Sequence, residues 1–186
     1  MGDPALQRAD MTFEQAALLD PDAAPGEIDG GRWVPMTRGT WRHGKIVVNV
    51  SVLLSLYSRA HPGWSVAAAD PGTRLGHDPD ILRGPDVAIV RVEREPQGRG
   101  ADGWLEGAPD VAVEVLGDAQ SASELAKKAL EYLAAGAKMV WVLDPEPARL
   151  LLFTPPDRIR VLGRDEILDG GDVLPGFSCR VAEMFE

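Results

Sequence analysis

The stretch that decides the fold is Asp110-Val111-Ala112-Val113-Glu114-Val115-Leu116. In an extended chain successive side chains point to opposite faces, so the three valines share one face while Ala112, Glu114 and Leu116 share the other. Both faces are therefore apolar, which is typical of a central strand that is covered on both sides. Glu114 is the exception. A carboxylate at such a position must be neutral, paired with a cationic side chain or bound to a metal ion.

A second carboxylate stands at the start of another apolar run, Gly84-Pro85-Asp86-Val87-Ala88-Ile89-Val90. Asp86 follows a proline directly and enters its own strand. Two carboxylates on neighbouring strands form a site for a hard divalent cation, because such ions prefer oxygen ligands. The alternative is that Glu114 pairs with an arginine or a lysine, and these two segments alone favour neither interpretation.

Length and composition indicate one soluble globular domain. A chain of 186 residues can bury its own core, and we expect a single domain over residues 1–186, with residues 1–11 as a flexible N-terminal segment. No apolar run approaches the roughly 20 residues that span a bilayer, and the N-terminus lacks a signal-peptide pattern, so we expect a cytoplasmic protein with no membrane partner. Cys179 is the only cysteine, which excludes an internal disulfide and a cysteine-rich zinc site.

The chain has a formal net charge of -10 at pH 7. This charge argues against broad nonspecific attraction to nucleic acid, because phosphate binding depends on clustered Lys and Arg side chains. Basic residues can still cluster locally and make such contacts. One cluster consists of Arg38, Arg42, His43 and Lys45, and another of Arg91, Arg94 and Arg99.

The first part of the chain predicts a helix, a loop and a strand. Thr12 followed by Gln15 has the form of a capping box, which predicts a short helix over Phe13–Leu19. Asp20–Gly31 is rich in Pro, Gly and Asp, so it predicts a loop that leads to a strand or hairpin around Arg32–Met36.

A longer helix and two strands follow. Over His43–Arg59 the apolar residues recur at i, i+3, i+4 and i+7, the pattern of an amphipathic helix that packs against a sheet. Trp64–Ala69 and Asp86–Val92 then predict strands, and Arg94–Gly103 predicts an exposed Gly-rich loop.

The region after Glu114 predicts a parallel crossover. A helix is expected over Ala122–Ala135, Gly136 is a natural stop for it, and Met139–Leu143 predicts the next strand. Strand, helix and strand in this order indicate a βαβ unit and hence a partly parallel sheet. A hairpin is predicted beyond it from Leu150–Thr154 and Arg158–Leu162.

Two adjacent lysines on the crossover helix differ in helical phase. At 100° per residue Lys127 lies nearly opposite the apolar stripe, where Glu124 and Glu131 can pair with it, so it is a solvated surface residue. Lys128 borders the stripe beside Tyr132, so its ammonium can reach toward the sheet. A lysine at the edge of a core more commonly snorkels, and that alternative stays open here.

Several short motifs occur in a fixed order from about residue 12 to residue 185. They are Glu27 before Gly31-Arg32-Trp33-Val34-Pro35-Met36, His43 at a helix start, Gly84-Pro85-Asp86-Val87-Ala88, Val113-Glu114-Val115-Leu116, Lys128 before Tyr132-Leu133-Ala134-Ala135-Gly136, Trp141-Val142-Leu143-Asp144-Pro145 and Leu174-Pro175-Gly176-Phe177. In this order they resemble the PD-(D/E)XK nuclease superfamily, and more narrowly its Uma-two branch of restriction endonuclease-like proteins. Each motif is weak, but their order and spacing together are fairly specific.

The resemblance implies an α/β (α+β) fold with a restriction-endonuclease-like mixed central sheet flanked by helices. It also implies that Asp86 and Glu114 are metal-binding acids. Lys128 matches a catalytic lysine that in this branch lies on the helix after the strand, since position 116 is Leu116 rather than the usual lysine.

Two further residues match family positions near the site. Glu27 matches an acidic residue that binds the metal ion directly or through water, and His43 matches a histidine that orients a carboxylate or a phosphate, with a purely structural role as its alternative. The sequence departs from the family in the turn Gly117-Asp118-Ala119-Gln120 and in lacking the usual tyrosine before Gly26-Glu27.

The function that follows from this resemblance is a Mg²⁺-dependent endonuclease that hydrolyses DNA, with Mn²⁺ as an alternative metal ion and with a homo-oligomer such as a dimer as the expected assembly. Phosphodiester hydrolysis needs an activated water and positive charge where negative charge develops. Two alternatives stay open. One is a weak or inactive interaction module on the same fold, which the net charge and the altered turn favour, and the other is a metal-dependent hydrolase of small phosphoesters.

Overall fold

A computed structural model describes residues 11–19, 25–98, 100–117 and 120–186. Within these ranges the helices are α1 (Phe13–Ala17), α2 (Trp41–Ala60), α3 (Ala122–Ala134) and α4 (Ala182–Phe185). The strands are β1 (Gly26–Asp29), β2 (Arg32–Pro35), β3 (Trp64–Ala68), β4 (Thr73–Gly76), β5 (Ile81–Arg83), β6 (Val87–Arg91), β7 (Leu105–Glu106), β8 (Val111–Val115), β9 (Met139–Asp144), β10 (Arg149–Thr154), β11 (Arg158–Leu162), β12 (Ile167–Asp169) and β13 (Ser178–Arg180). The predicted N-terminal segment up to residue 10, Arg99, and the pair Asp118-Ala119 of the altered turn lie outside the described residues.

Six strands form the central sheet, in the order β11-β10-β9-β8-β6-β3. β8 and β9 run parallel, and the other neighbouring pairs of this sheet are antiparallel. α3 connects β8 to β9 as the predicted crossover. The mixed central sheet flanked by helices is therefore confirmed, and so is the hairpin of β10 and β11.

The central sheet is covered on both faces, and this fixes the strand that carries Glu114. Val111, Val113 and Val115 pack in one core with the buried face of α2. Ala112, from the opposite face of β8, packs in a second core with α3. Each fully buried valine contributes about 1.5–3 kcal/mol, so packing holds β8 in register and holds Glu114 on the α3 side.

Local sequence signals set the helix ends. Thr12 and Gln15 form the predicted capping box at α1, and Ser121 forms a second one with Glu124 at α3. Gly136 has φ +102, a left-handed conformation that glycine adopts without a steric penalty, and it follows the end of α3 as predicted.

Part of the predicted loop Asp20–Gly31 is instead a strand. β1 pairs with β2 through a two-residue turn, in which Gly30 and Gly31 both have positive φ (56 and 80). Two adjacent residues with positive φ are the requirement of a type I′ hairpin turn. The prediction of a loop was wrong because the Pro, Gly and Asp content of the segment obscured a strand of four residues.

A second sheet, in the order β2-β1-β5-β4-β7, contains three strands that no sequence pattern predicted. β4, β5 and β7 have two to four residues each, too few for a periodic pattern. The segment Arg94–Gly103 is not a simple exposed loop, because it contains part of a 3₁₀ turn at Val92–Arg94 and a second turn at Gly100–Gly103. In the part of the chain that is described, no helix is both long and apolar enough to cross a membrane.

Candidate active site

A cleft of about 840 Å³ opens where the β1–β2 hairpin, the first turns of α2, the start of β6, the end of β8 and the face of α3 meet. The cleft brings together all five residues that the sequence singled out. Its charged and titratable lining residues are Glu27, Asp29, Arg38, His43, Asp70, Arg83, Asp86, Glu114, Glu124, Lys127 and Lys128.

Asp86 ties the start of β6 to the end of β8. One carboxylate oxygen accepts the backbone N–H of Val115 at 2.7 Å, and the other lies 3.3 Å from Nε2 of His43. Val87 pairs with Val113 in the sheet, so the next step of this antiparallel register places Asp86 opposite Glu114. Asp86, directly before β6, and Glu114, in β8, therefore face each other, and both line the cleft.

Glu114 is only 4% exposed, and its carboxylate accepts a hydrogen bond from the Tyr132 hydroxyl at 2.9 Å. Among the described residues, no lysine, arginine or histidine nitrogen lies within 4.0 Å of it, so the ion pair that the sequence left open is not formed. Burial raises the pKa of Glu114 to about 8; the Lys128 ammonium opposes this rise, and the Asp86 and Glu27 carboxylates add to it. The site therefore favours a proton or a cation at this carboxylate.

Lys128 and Lys127 point to different surroundings, as their helical phases predict. The Lys128 ammonium lies 2.8 Å from both carboxylate oxygens of Glu27, and its side chain is 14% exposed. Burial alone would lower the pKa of Lys128, but the Glu114 and Glu27 carboxylates raise it above its ordinary value. Lys127 is 57% exposed and binds Asp29 at 2.8 Å.

The predicted partners of Lys127 were half right. Glu131 lies 3.6 Å from its ammonium, as the i,i+4 spacing predicts. Glu124 instead accepts hydrogen bonds from the N–H and hydroxyl of Ser121, because it belongs to the capping box that begins α3.

Three hydrogen-bond donors hold the Glu27 carboxylate. Its carboxylate binds Lys128, accepts the Gly84 N–H at 3.2 Å and lies 3.5 Å from the Arg83 guanidinium. A carboxylate with two cations and a backbone donor has little capacity left for a metal ion. In this structure Glu27 therefore contacts Lys128, and its role as a metal ligand stays a prediction.

Arg83 is the centre of a buried charge network that the sequence did not predict. Its side chain is 3% exposed and binds Asp29 at 2.9 Å and Glu131 at 2.6 Å, in addition to Glu27. The network joins β1, β5 and α3. Its only sequence signal is an arginine directly before the Gly84-Pro85-Asp86 motif.

His43 lies in the first turn of α2, where the Thr40 hydroxyl accepts its backbone N–H at 3.3 Å. The hydrogen bond with Asp86 raises the pKa of His43 against the opposing effect of burial. The imidazole therefore carries positive charge more readily than a free histidine and holds one oxygen of Asp86.

Asp70 is a site residue that the sequence did not single out. It follows Ala69 in a turn where both residues have positive φ (65 and 59), and the Ala69 N–H donates to the Asp86 carbonyl at 3.2 Å. Burial raises the pKa of Asp70 to about 6, and the Asp86 and Glu27 carboxylates add to this rise. A Cβ at Gly84 would lie 2.9 Å from the Asp70 Cβ, so a glycine before Pro85 lets this acid approach the cleft.

The donor set identifies which residues could hold a metal ion. In the described ranges no three His, Cys, Asp or Glu side chains are grouped so as to hold one between them. Asp86, directly before β6, and Glu114 in β8 are two hard oxygen donors, and no salt bridge reaches Glu114 from the described residues. This pair fits a cation such as Mg²⁺, which binds through one or two carboxylates and keeps several waters.

Comparison with known proteins places the chain in a family. No curated protein matches it. A crystal structure described as a putative nuclease belonging to DUF820, from Anabaena variabilis ATCC 29413, superimposes with a TM-score of 0.80 over 94% of this chain and 97% of the other, at 18% sequence identity, which shows a shared fold. The model of the Uma2 family, described as "putative restriction endonuclease", matches residues 12–182. The chain therefore belongs to the Uma2 family.

Proposed function

We propose that this protein is a Mg²⁺-dependent endonuclease that hydrolyses phosphodiester bonds in DNA, with Mn²⁺ able to replace Mg²⁺. The observation that carries the proposal is the buried carboxylate of Glu114. It forms no salt bridge with any residue that the structure describes, stands opposite Asp86 and shares a cleft with the Lys128 ammonium. Membership of a family described as "putative restriction endonuclease" supports the same reaction class.

Asp86 and Glu114 are the residues that would hold the metal ion. When bound, a divalent ion polarises a phosphate oxygen and lowers the pKa of a coordinated water. His43 and the Val115 N–H fix the orientation of Asp86 from either side. Glu114 must give up a proton before it binds a cation, because burial raises its pKa to about 8, so metal binding is expected to release a proton near neutral pH.

In this proposal Lys128 is the side chain that places positive charge next to the phosphate. Its ammonium neutralises negative charge on the phosphate as the bond to the leaving oxygen breaks, and this kind of stabilisation is strong in a cleft that excludes water. Glu27 holds Lys128 in place, and Arg83 holds Glu27. Glu27 and Arg83 are therefore positioning residues in this proposal.

The test is cleavage of supercoiled plasmid DNA by the wild type and by Lys128→Ala in Mg²⁺, in Mn²⁺ and in EDTA. We expect nicked and linear products with either metal ion, none in EDTA, and a loss of about 10²–10³ in rate for Lys128→Ala. Lys127→Ala is the matched control and is expected to change the rate little. Lys127 lies on the same helix, but its side chain is 57% exposed and its ammonium binds Asp29.

The same assay separates the proposal from its alternatives. Equal losses for both lysine variants would contradict the assigned role of Lys128. Hydrolysis of a small phosphate diester without cleavage of plasmid would favour a small-phosphoester hydrolase. A protein that cleaves neither substrate in either metal ion would be an inactive module on the nuclease fold.

A further inference from the structure

One basic side chain of the cleft has no acidic partner among the described residues. Five basic side chains of the described ranges line the cleft. Those with a carboxylate oxygen within 4.0 Å are His43, Arg83, Lys127 and Lys128. The fifth is Arg38, and no carboxylate of the described part of the chain lies within 4.0 Å of its guanidinium. Its charge is therefore available to an anion that enters the cleft.

The loop between β2 and α2, which carries Arg38, packs against the imidazole of His43. A Cβ added to Gly39, the residue after Arg38, would lie 2.9 Å from Nδ1 of His43. The absence of a side chain at Gly39 allows this close approach. The other ring nitrogen, Nε2, lies 3.3 Å from the Asp86 carboxylate. The loop and Asp86 thus contact different nitrogens of one imidazole ring, so Arg38 is held close to the carboxylate pair but not against it.

The sequence around Arg38 contains no acid that could compensate its charge. Between Gly30 and Ala69 the chain has five Lys and Arg residues and no Asp or Glu. The acids of the cleft come from other segments, such as Glu27, Asp86 and Glu114. The β2–α2 loop therefore forms a basic side of a cleft that is otherwise rich in carboxylates, and a negatively charged ligand is attracted to this side.

The cleft is also larger than a single phosphate group requires. Its volume of about 840 Å³ lies in the range of sites that hold ligands of several linked groups. The ammonium of Lys128 opposes the rise in the pKa of both Glu114 and Asp70, so it acts at the acids. Arg38 enters from the β2–α2 loop and not from α3. The cleft therefore has a second positive centre besides the one at the acids.

We infer that Arg38 binds the phosphate next to the one that is cleaved, and that the substrate is therefore a polynucleotide and not a small phosphoester. This inference rests on the proposed nuclease function and specifies its substrate class. A guanidinium presents N–H donors in a planar fork that matches two oxygens of a phosphate. While one phosphate lies at the carboxylate pair and Lys128, Arg38 holds its neighbour along the strand. A substrate with a single phosphate lacks that contact.

The experiment measures binding without cleavage. Two competitors displace a fluorescein-labelled oligothymidylate from the protein in EDTA, and anisotropy is recorded. One is the thymidine trinucleotide TpTpT, and the other is the same trinucleotide with one neutral methylphosphonate linkage, so the bases are identical. For the wild type we expect the neutral linkage to weaken binding by about 3- to 10-fold, the range for loss of one hydrogen-bonded contact. For Arg38→Ala we expect the two competitors to bind within about 2-fold of each other.

The salt dependence of binding is a second readout. The labelled oligothymidylate is titrated at increasing salt concentration, and the slope of log K against log salt is compared. Arg38→Ala is expected to reduce the magnitude of this slope by about 0.7, which corresponds to one phosphate contact on a single strand. Arg38→Lys keeps the charge but not the planar fork, so it is expected to keep the slope and lose part of the affinity.

Arg59→Ala is the matched control. Arg59 is exposed in the last turn of α2, about 27 Å along the helix from its first residue, and it does not line the cleft. Like Arg38, it has no carboxylate of the described residues within 4.0 Å. Both readouts are expected to stay at their wild-type values in this variant.

Three results would overturn the inference. One is a wild type that binds both trinucleotides equally, or an Arg38→Ala variant that still distinguishes them as the wild type does. Another is an equal effect of Arg59→Ala, because the attraction would then be diffuse. The third is weaker binding by Arg38→Ala with an unchanged salt slope, because Arg38 would then contact a base. EDTA prevents cleavage, so a wild type that binds as expected but cleaves no plasmid would contradict the proposed function alone.

Discussion

Asp110 directly precedes β8 and Glu114 lies near its C-terminal end, and both are almost fully buried, at 1% and 4% exposure. Cationic side chains bind Asp110 but not Glu114. Asp110 binds the Lys138 ammonium at 2.6 Å and Arg94 at 3.2 Å, and it accepts the Arg91 N–H at 3.1 Å. Glu114 accepts one hydroxyl hydrogen bond, and no salt bridge reaches it among the described residues. One carboxylate at β8 is thus held in direct ion pairs and the other is not.

The pKa values follow this difference. Burial acts to raise the pKa of Asp110, but Lys138, the Arg91 N–H and Arg94 outweigh it and hold the pKa below its ordinary value. Burial raises the pKa of Glu114 to about 8. A buried acid with full compensation contributes to the fold, whereas an uncompensated one beside a cleft indicates a functional site. The following predictions test that distinction.

The largest stability effect is expected at Asp110. Asp110→Ala removes the partner of two cations and a backbone donor, and breaking a buried pair typically costs about 3–5 kcal/mol. We expect a value near the lower end, about 3 kcal/mol, because Lys138 is 55% exposed and can be hydrated again. Urea unfolding of the variant measures it. A loss below about 1 kcal/mol would show that the ion pairs of Asp110 contribute little to the stability of β8.

The largest activity effect is expected at Glu114. Glu114→Gln keeps the shape and the Tyr132 hydrogen bond but removes the negative charge, so under the proposed function cleavage should fall by about 10² or more. In the metal-free protein the stability of Glu114→Gln should stay within about 0.5 kcal/mol of the wild type at pH 4, where the Glu114 carboxyl is largely protonated in both the folded and the unfolded chain. Plasmid cleavage and urea unfolding together test this. A variant that cleaves at the wild-type rate would make Glu114 a structural residue like Asp110.

The two acids should also affect stability in different pH windows. Glu114 binds a proton more tightly in the folded than in the unfolded chain, so its contribution is present below about pH 4.5 and is lost as pH rises toward 8. The slope approaches about 1.4 kcal/mol per pH unit in that window. Asp110 has the opposite sign, because its contribution is present above its unfolded pKa of 3.8 and is lost as pH falls through its lowered folded value.

Variants separate the two windows. Unfolding free energies measured from pH 3 to 9 in EDTA should show that Glu114→Gln reduces the decline between pH 4.5 and 8 and leaves the acid limb unchanged. The decline that remains belongs to Asp70, whose pKa is raised to about 6, and to His43, whose pKa is also raised. Asp110→Ala should flatten the acid limb and leave the other. If Glu114→Gln left the neutral-pH decline unchanged, the raised pKa would belong to another group.

The smallest effect is expected at Tyr132, whose hydroxyl is the hydrogen-bond donor to Glu114. Tyr132→Phe removes one hydrogen bond, worth about 0.5–1.5 kcal/mol, and keeps the buried ring. Thermal unfolding should show a correspondingly small loss of stability. Metal-ion affinity, measured by calorimetry with Mn²⁺, should change little, because the carboxylate oxygens remain available. A complete loss of metal binding would mean that Tyr132 positions Glu114.

The sequence predicted those features that depend on local patterns. The apolar alternation of β8, the crossover through α3 and the different phases of Lys127 and Lys128 all follow from periods of 2 and 3.6 residues. The Arg83 network and the position of Asp70 could not be predicted from such periods. Arg83 and Glu27 are 56 positions apart and meet only because short strands without any periodic pattern pair in the second sheet. The position of Asp70 depends on a turn in which Ala69 and Asp70 both have positive φ, a conformation that is uncommon for residues other than glycine.

Lys128 extends from α3, whereas Asp86 and Glu114 belong to the central sheet. The charged centre therefore exists only while α3 is docked on β8 and β9, and a surface helix opens at a lower free energy than the central strands. Under the proposed function, mild denaturant should therefore abolish cleavage before the central sheet unfolds. Any change that separates α3, with Leu125 and Ala129 on its buried face, from the sheet would therefore move Lys128 away from the two carboxylates without altering either of them.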